Sequence, residues 1–404
     1  MSLPKGTPHN FCAFLLILLF LGLPSSALAA SDISAVTSLH GWEEEDGTDN
    51  SSASQYFDLW TRSKLGRFNL DIEGAGRYTI IENEVEPGDD SPNRLYSLAM
   101  TLSTSNGNGS LVVGRQMVSA ITDLYLIDGL RLDVGTGPVS FTTRWGILAE
   151  VDSVELSEDE TFGLGVDFEI IRGMFLAVDY ARTFDDDSLL TELIAMDWTW
   201  SWFKHTKAYI TLDWDLMSED IYEAVVGTRI FLSELISATL EYYQNQPLFS
   251  SQSIYSAFAV DPAETFMLTI LFTPNAQTRY LWELSNESYE TGEGVRYTLG
   301  ASWSPGKSHI VSDLMQYNGD SGTLTEIQFD FTTSLSSYFD IALGGDLSNS
   351  ELPDKPKIRS YAAYVGGQWT PSSKTELSLR IEQTDDDVSE LSTLSGRLAL
   401  ALRF

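Results

Sequence analysis

The sequence predicts an all-β protein, a closed antiparallel transmembrane β-barrel of about 22 strands within a range of about 16 to 24. Three observations predict it. Apolar and polar residues alternate with a period of two in many segments, the connections between those segments are of two kinds, and the two ends of the chain carry features of an exported membrane protein. Past residue 30, no stretch shows sustained helical periodicity or a long apolar run, so neither an α/β enzyme nor a helical membrane protein fits.

The clearest alternation is in the last eleven residues, Leu394 to Phe404. A strand with lipid on one side and water on the other needs this period of two. One face carries Leu394, Gly396, Leu398, Leu400, Leu402 and Phe404, and the other carries Ser395, Arg397, Ala399, Ala401 and Arg403.

The same division recurs at 67–80, 206–215, 295–303, 326–331 and 376–382, where the polar face is charged. A soluble β-sandwich or β-helix would alternate equally well. The number of such segments and the chain ends favour the barrel, whose polar face would line an aqueous pore. The predicted pore-lining residues are Arg67, Asp71, Glu73, Arg77, Asp213, Asp215, Arg296, Glu326, Asp330, Glu376, Arg380, Glu382 and Arg397.

The connections fall into a tight class and a longer, acidic class that largely alternate along the chain. We assign the tight turns to the periplasm and the acidic loops to the exterior. Two segments, 116–135 and 245–263, are poorly patterned, and the second is either a strand pair or a loop folded into the lumen. The tight turns are 63–66, 105–109, 135–138, 273–276, 304–307 and 370–374, and the acidic loops are 43–53, 82–93, 150–160, 285–294, 347–357 and 384–390.

Residues 1–29 predict a secretory signal peptide, with the barrel occupying 30–404. Lys5 precedes an apolar run, Phe11 to Leu23, and Ala27-Leu28-Ala29 forms a small-x-small cleavage site. The alternative is a retained anchor, but the run is shorter than the roughly 20 residues that span a bilayer. Cys12, the only cysteine, lies inside this run.

The composition excludes several classes of function. A processed chain has no thiol, so thiolate metal sites and c-type haem attachment are excluded. The histidines are scattered without metal-ligand spacing, and no catalytic motif is present, so we expect no enzyme activity, cofactor or metal site. With 58 Asp plus Glu against 24 Lys plus Arg, no nucleic-acid partner is expected. Acidic loop clusters could hold Ca²⁺ or Mg²⁺, but solvated loops are the simpler interpretation.

Aromatic residues near strand ends predict an interfacial girdle at the membrane surface, because amphipathic rings favour the headgroup level. The predicted girdle residues are Trp198, Trp200, Trp202, Trp303 and Phe404. A sugar-stacking surface would instead need aromatic residues on the polar face, where the alternation places Tyr209.

The terminal strand ending in Phe404 resembles the C-terminal signature of Gram-negative outer-membrane β-barrel proteins, and the whole pattern resembles porins. That resemblance implies recognition of the last strand by the barrel assembly machinery, location in the bacterial outer membrane, and contact with its lipid and lipopolysaccharide. It implies passive diffusion of small hydrophilic solutes or ions, and a homo-oligomer is possible. The acidic excess predicts a weak cation preference if the carboxylates lie in the lumen.

A second function stays open because barrels of about 22 strands are usually plugged. We expect no N-terminal plug domain, because the alternation starts close to the beginning of the predicted barrel. The chain therefore also resembles, in architecture alone, the barrel sheath of porin-cytochrome electron conduits, whose lumen is filled by a separate multihaem cytochrome.

Overall fold

The computed structural model describes residues 30–403 except 44–48, 83–93, 120–123, 150–155, 186–187, 204, 247–262, 290–291, 354–356 and 387–390. The predicted signal peptide and Phe404 therefore lie outside the described residues, as does most of the poorly patterned segment 245–263. Within the described part of the chain, no helix has the length and apolar character needed to cross a membrane.

The described residues form one sheet of 22 strands in which every strand pairs antiparallel with the next, and β22 pairs with β1. The closed barrel and the count of 22 are confirmed. Closure leaves no sheet edge without hydrogen-bonding partners. The strands are β1 Ala30–Glu43, β2 Asp49–Leu65, β3 Phe68–Glu82, β4 Arg94–Thr104, β5 Gly109–Ser119, β6 Leu124–Thr136, β7 Val139–Ala149, β8 Leu156–Ile171, β9 Met174–Asp185, β10 Ser188–Phe203, β11 Thr206–Asp215, β12 Asp220–Phe231, β13 Ile236–Asn245, β14 Ala263–Asn275, β15 Thr278–Tyr289, β16 Gly292–Trp303, β17 Ser308–Gly319, β18 Gly322–Ser334, β19 Phe339–Glu351, β20 Ile358–Ser372, β21 Thr375–Asp386 and β22 Leu391–Arg403.

The two faces of the wall differ in chemistry as the alternation predicts. Large apolar side chains are exposed on one face, for example Leu299 at 51% and Trp303 at 50%. A barrel that spans a membrane turns such a face outward to lipid. Many charged side chains, such as Arg296 on β16, lie on the opposite face and point inward. Across most hairpins, directly opposed residues share a face, so inward neighbours can be identified from the register.

All six predicted tight turns join an even-numbered strand to the following odd-numbered strand, and they lie at one end of the barrel, the turn end. Gly66, Gly137 and Gly306 adopt φ of 61° to 63° in these turns, a conformation that suits glycine. The opposite end, the loop end, carries the acidic connections. One expectation is corrected there, because strands extend into several predicted loops: β15 and β16 into 285–294, β2 into 43–53, β8 into 150–160 and β19 into 347–357. The poorly patterned segment 116–135 contains the end of β5 and most of β6.

Candidate pore lining

Twelve of the thirteen predicted pore-lining residues lie on the inward face of a strand. The exception is Arg67, which lies in the turn between β2 and β3 because β3 begins one residue later than the alternation suggested. The inward residues are Asp71, Glu73, Arg77, Asp213, Asp215, Arg296, Glu326, Asp330, Glu376, Arg380, Glu382 and Arg397.

Two of these residues, Asp213 and Asp215 on β11, point inward but are buried, with exposures of 3% and 8%. The carboxylate of Asp215 accepts hydrogen bonds from the backbone N–H groups of Met217 and Ser218. Asp213 accepts a hydrogen bond from the Tyr222 hydroxyl at 3.2 Å. Asp215 therefore caps the turn after β11, and neither carboxylate offers a free surface to an open bore.

The burial of Asp213 and Asp215 belongs to a larger region, which we call the covered sector. It comprises the buried inward side chains on β5 to β11. Polar and apolar groups are mixed there, and all are shielded from solvent. Its members are Gln116, Val118, Ile127, Arg144, Thr161, Asp179, Ala181, Thr183, Leu193, Ala195, Asp213 and Asp215.

At the centre of the covered sector, Arg144 on β7 and Asp179 on β9 form a two-pronged ion pair that crosses β8. The N–O distances are 2.8 Å and 2.6 Å, and the side chains are 2% and 5% exposed. Bidentate guanidinium–carboxylate pairs are the strong, directional form of a salt bridge. Two charges this deeply buried are tolerable only because they neutralise each other.

Glycine on β8 makes room for this ion pair. A Cβ atom at Gly163 would lie 2.3 Å from Cζ of Arg144, and one at Gly165 would lie 3.1 Å from a carboxylate oxygen of Asp179. The guanidinium therefore lies flat against the backbone of the intervening strand. The sequence analysis missed this pair, because β9 was not among the segments whose alternation was assigned. The G-x-G spacing of β8 opposite a charged strand is the signal that could have indicated it.

The opposite side of the barrel, strands β17 to β22, differs from the covered sector, and we call it the open wall. None of its described side chains is buried. Tyr364 on β20 donates its hydroxyl to Asp330 on β18. The Arg380 guanidinium lies 3.9 Å from the centroid of the Tyr364 ring and 3.0 Å from Glu382. Charges of both signs thus lie side by side on this wall.

The other inward charges include partly exposed pairs that cross between adjacent strands or lie two residues apart. Arg62 contacts Asp71 at 2.6 Å, and Arg296 contacts Glu287 at 3.0 Å. Arg397 donates to the Ser38 hydroxyl at 3.0 Å across the β22–β1 closure. These contacts hold the side chains along the wall, which keeps them from projecting across the bore.

The polar face carries more aromatic residues than the sequence suggested. Tyr209, Tyr317 and Tyr364 all point inward, and each lies over a glycine of a neighbouring strand: Gly227, Gly294 and Gly344. Tyr209 donates its hydroxyl to Glu241. Because one side of each ring lies against the wall and the hydroxyls are already bonded, these rings help to pack the wall.

The structure places the girdle residues Trp198, Trp200 and Trp303 on the outward face near the turn end. The Trp198 and Trp200 rings are 5.7 Å apart between centroids. Trp202 lies in β10, and Phe404 lies outside the described residues. A second set of outward aromatic residues near the loop end escaped the sequence analysis. Tyr180, Tyr242 and Tyr361 donate hydroxyls to Glu192, Glu264 and Asp385 on adjacent strands.

No group of three or more His, Cys, Asp or Glu side chains is arranged to hold a metal ion among the residues that the structure describes.

Neither known protein families nor curated protein sequences match the chain, whereas many solved structures share its fold. The P pilus usher (PapC) translocation pore aligns with 92% of this chain and 99% of its own at 7% identity, with a TM-score of 0.51. Pseudomonas aeruginosa OpdQ aligns with 93% and 98% at 9% identity, with a TM-score of 0.48. Acinetobacter baumannii OccAB1 aligns with 95% and 97% at 9% identity, with a TM-score of 0.47.

The chain is thus a closed antiparallel β-barrel, a fold that it shares with the P pilus usher translocation pore. At these identities the likeness concerns the fold alone.

Proposed function

We propose that this protein is a passive channel of the bacterial outer membrane, through which small hydrophilic solutes or ions diffuse. The observation that carries the proposal is the two-faced wall of a closed barrel. Its outward face is apolar between aromatic residues at both ends, and its inward face carries charged groups that are exposed on the open wall. An apolar belt between aromatic girdles is what a bilayer requires of a barrel.

The open wall supplies the chemistry that a diffusion channel needs. Polar and charged side chains replace part of the hydration shell of a solute. Fixed charges on the wall select between cations and anions. The ion pairs along the wall leave exposed donors and acceptors such as Arg380, half of whose side chain is accessible. The covered sector occupies the other side and would narrow the path, so the proposed route follows the open wall.

The direct test is electrical. Refolded protein is inserted into a planar lipid bilayer, and single-channel current is recorded across a range of voltages. We expect discrete steps with an ohmic current–voltage relation. A bilayer that stays closed under all conditions would contradict the proposal. Fractionation of Gram-negative cells that express the full chain should place it in the outer membrane, with assembly depending on the C-terminal strand β22.

A second candidate is the sheath of a porin-cytochrome conduit, and the observation that favours it is the strand number. A barrel of 22 strands is wide, and single-chain barrels of that size are plugged. Purification in mild detergent from cells that contain the natural partners distinguishes the two functions. Haem absorbance that travels with the barrel supports the sheath, whereas conductance by the isolated chain supports the channel. The same preparation reports any homo-oligomer and bound lipopolysaccharide.

A further inference from the structure

Three adjacent strands of the open wall carry inward acidic residues and neither Lys nor Arg. From Ser308 to Glu351, which spans β17 to β19, the sequence contains no Lys or Arg. We call the inward carboxylates at the middle of these strands the acidic strip: Asp313, Glu326, Asp330 and Asp346.

The register places the four carboxylates around one residue. Gln328 on β18 is directly opposite Asp313 on β17 and Asp346 on β19. Glu326 and Asp330 are two positions away from it on the same strand. Directly opposed side chains have Cβ atoms about 5 Å apart, and residues two apart along a strand are about 7 Å apart. The four carboxylates of the acidic strip therefore surround Gln328.

The strip differs from the inward carboxylates that pair with an arginine. Asp71, Glu287 and Glu382 each contact an arginine. In the strip, Asp330 is held by the hydroxyl of Tyr364 and the amide of Gln328. Within the described residues, Asp313, Glu326 and Asp346 have no hydrogen-bond or ion-pair partner. These carboxylates can therefore interact electrostatically with ions and solutes that pass along the wall.

The strip also lies close to the wall. A Cβ atom at Gly300 would be 2.5 Å from a carboxylate oxygen of Asp313, and one at Gly344 would be 2.5 Å from a carboxylate oxygen of Asp330. Both carboxylates thus lie over glycine on a neighbouring strand, which leaves the bore clear. Among the described residues, no group that includes these carboxylates is arranged to hold a metal ion.

We infer that the acidic strip is the element that makes the channel prefer cations, from monovalent metal ions to small cationic organic solutes. The inference rests on the proposed function. Uncompensated charge of one sign along a water-filled path raises the local concentration of the opposite ion. The acids of the covered sector contribute little, because they are buried and engaged by protein groups, as Asp179 is by Arg144.

The test measures the ratio of K⁺ to Cl⁻ permeability from the reversal potential in a KCl gradient across a planar bilayer. The variant D313N/E326Q/D346N removes three charges from the strip and spares the bonded Asp330. The matched control E192Q/E264Q/D385N removes three charges from the outward face near the loop end. We expect the permeability ratio to fall about two- to fivefold in the strip variant, as a charge about 4 to 8 Å away in water would produce, and to stay unchanged in the control.

Gln328→Lys is the second variant, since it adds a positive charge at the centre of the strip and removes no carboxylate. It should lower the permeability ratio in the same direction, and it keeps the inference testable if the triple variant does not fold. A wild-type channel that conducts, with a ratio that neither variant changes, overturns the inference and leaves the channel intact. Equal falls in the strip variant and its control overturn it as well. A wild-type protein that never conducts overturns the proposed channel itself.

Discussion

The covered sector and the open wall contain the same residue types in the same alternating pattern, yet their charged residues have different roles. Arg144 and Asp179 are almost inaccessible, whereas Arg380 on the open wall is 51% exposed in its ion pair with Glu382. Solvent access decides the difference. A buried ion pair is a structural element, because removing one partner leaves the other charge buried and uncompensated. An exposed ion pair is screened by water, and its charges remain accessible to solutes.

The largest expected effect comes from breaking the buried pair. Asp179→Ala would leave the Arg144 guanidinium buried without its carboxylate, and we expect a loss of about 3 to 5 kcal/mol in the free energy of unfolding. Urea titration of the refolded protein in lipid vesicles, followed by tryptophan fluorescence, measures this loss.

The control for this prediction is Asp71→Ala, which removes the carboxylate of the exposed Arg62–Asp71 pair. Its loss should be far smaller, because water can solvate the remaining guanidinium. Equal losses in the two variants would show that burial does not distinguish the buried ion pair from an exposed one.

A smaller effect is expected from the glycine beneath the buried pair. Gly163→Ala would place a Cβ atom 2.3 Å from Cζ of Arg144, and the guanidinium cannot retreat without losing Asp179. We expect a loss of about 1 to 3 kcal/mol, the range for overpacking a well-filled site. The measurement is again urea unfolding.

Gly396→Ala on β22 serves as the matched control, because nothing lies within 4 Å of its added Cβ atom. That variant should unfold at the urea concentration of the wild type. If Gly163→Ala did the same, the guanidinium would have room to move, and the covered sector would be looser than its burial indicates.

The sequence was sufficient to predict the barrel, its 22 strands and the inward face of most assigned segments, because a period of two repeated along the chain determines which side each residue faces. The start of a strand is harder to predict. Arg67 fits the alternation of β3 but belongs to the preceding turn, where Gly66 adopts a positive φ.

The covered sector could not be predicted from alternation, because a pattern along one strand does not reveal what covers it. Asp213 and Asp215 have the sequence pattern of pore-lining residues, but they are buried. The Arg144–Asp179 pair joins residues on β7 and β9, and recognising it requires the register of three strands together. The outward tyrosines near the loop end were missed for the same reason, since their carboxylate partners lie on neighbouring strands.

On the open wall, a single hydrogen bond should contribute modestly. Tyr364→Phe keeps the ring over Gly344 and beneath Arg380 but removes the hydroxyl that Asp330 accepts. We expect a loss of about 0.5 to 1.5 kcal/mol in the free energy of unfolding. Tyr317→Phe, which removes a bond to the exposed Ser321 hydroxyl, should cost less. If Tyr364→Phe lowered the free energy of unfolding as much as Asp179→Ala does, the stability of the open wall would depend on its polar contacts as strongly as that of the covered sector.

The smallest effect is expected for Arg62→Gln, which removes the charge of an exposed pair and keeps a hydrogen-bond donor opposite Asp71. Water and salt screen such a pair on the surface of a wide lumen, so the urea midpoint should not change. The stability of wild type and variant should also respond equally to added KCl. The opposite result would be a wild type that is more stable than Arg62→Gln at low salt but equally stable at high salt. It would show that Arg62 and Asp71 attract each other strongly in spite of their exposure. In that case solvent access alone would not explain why the buried pair is structural and the exposed pairs are not, and the positions of neighbouring inward charges would have to enter the explanation.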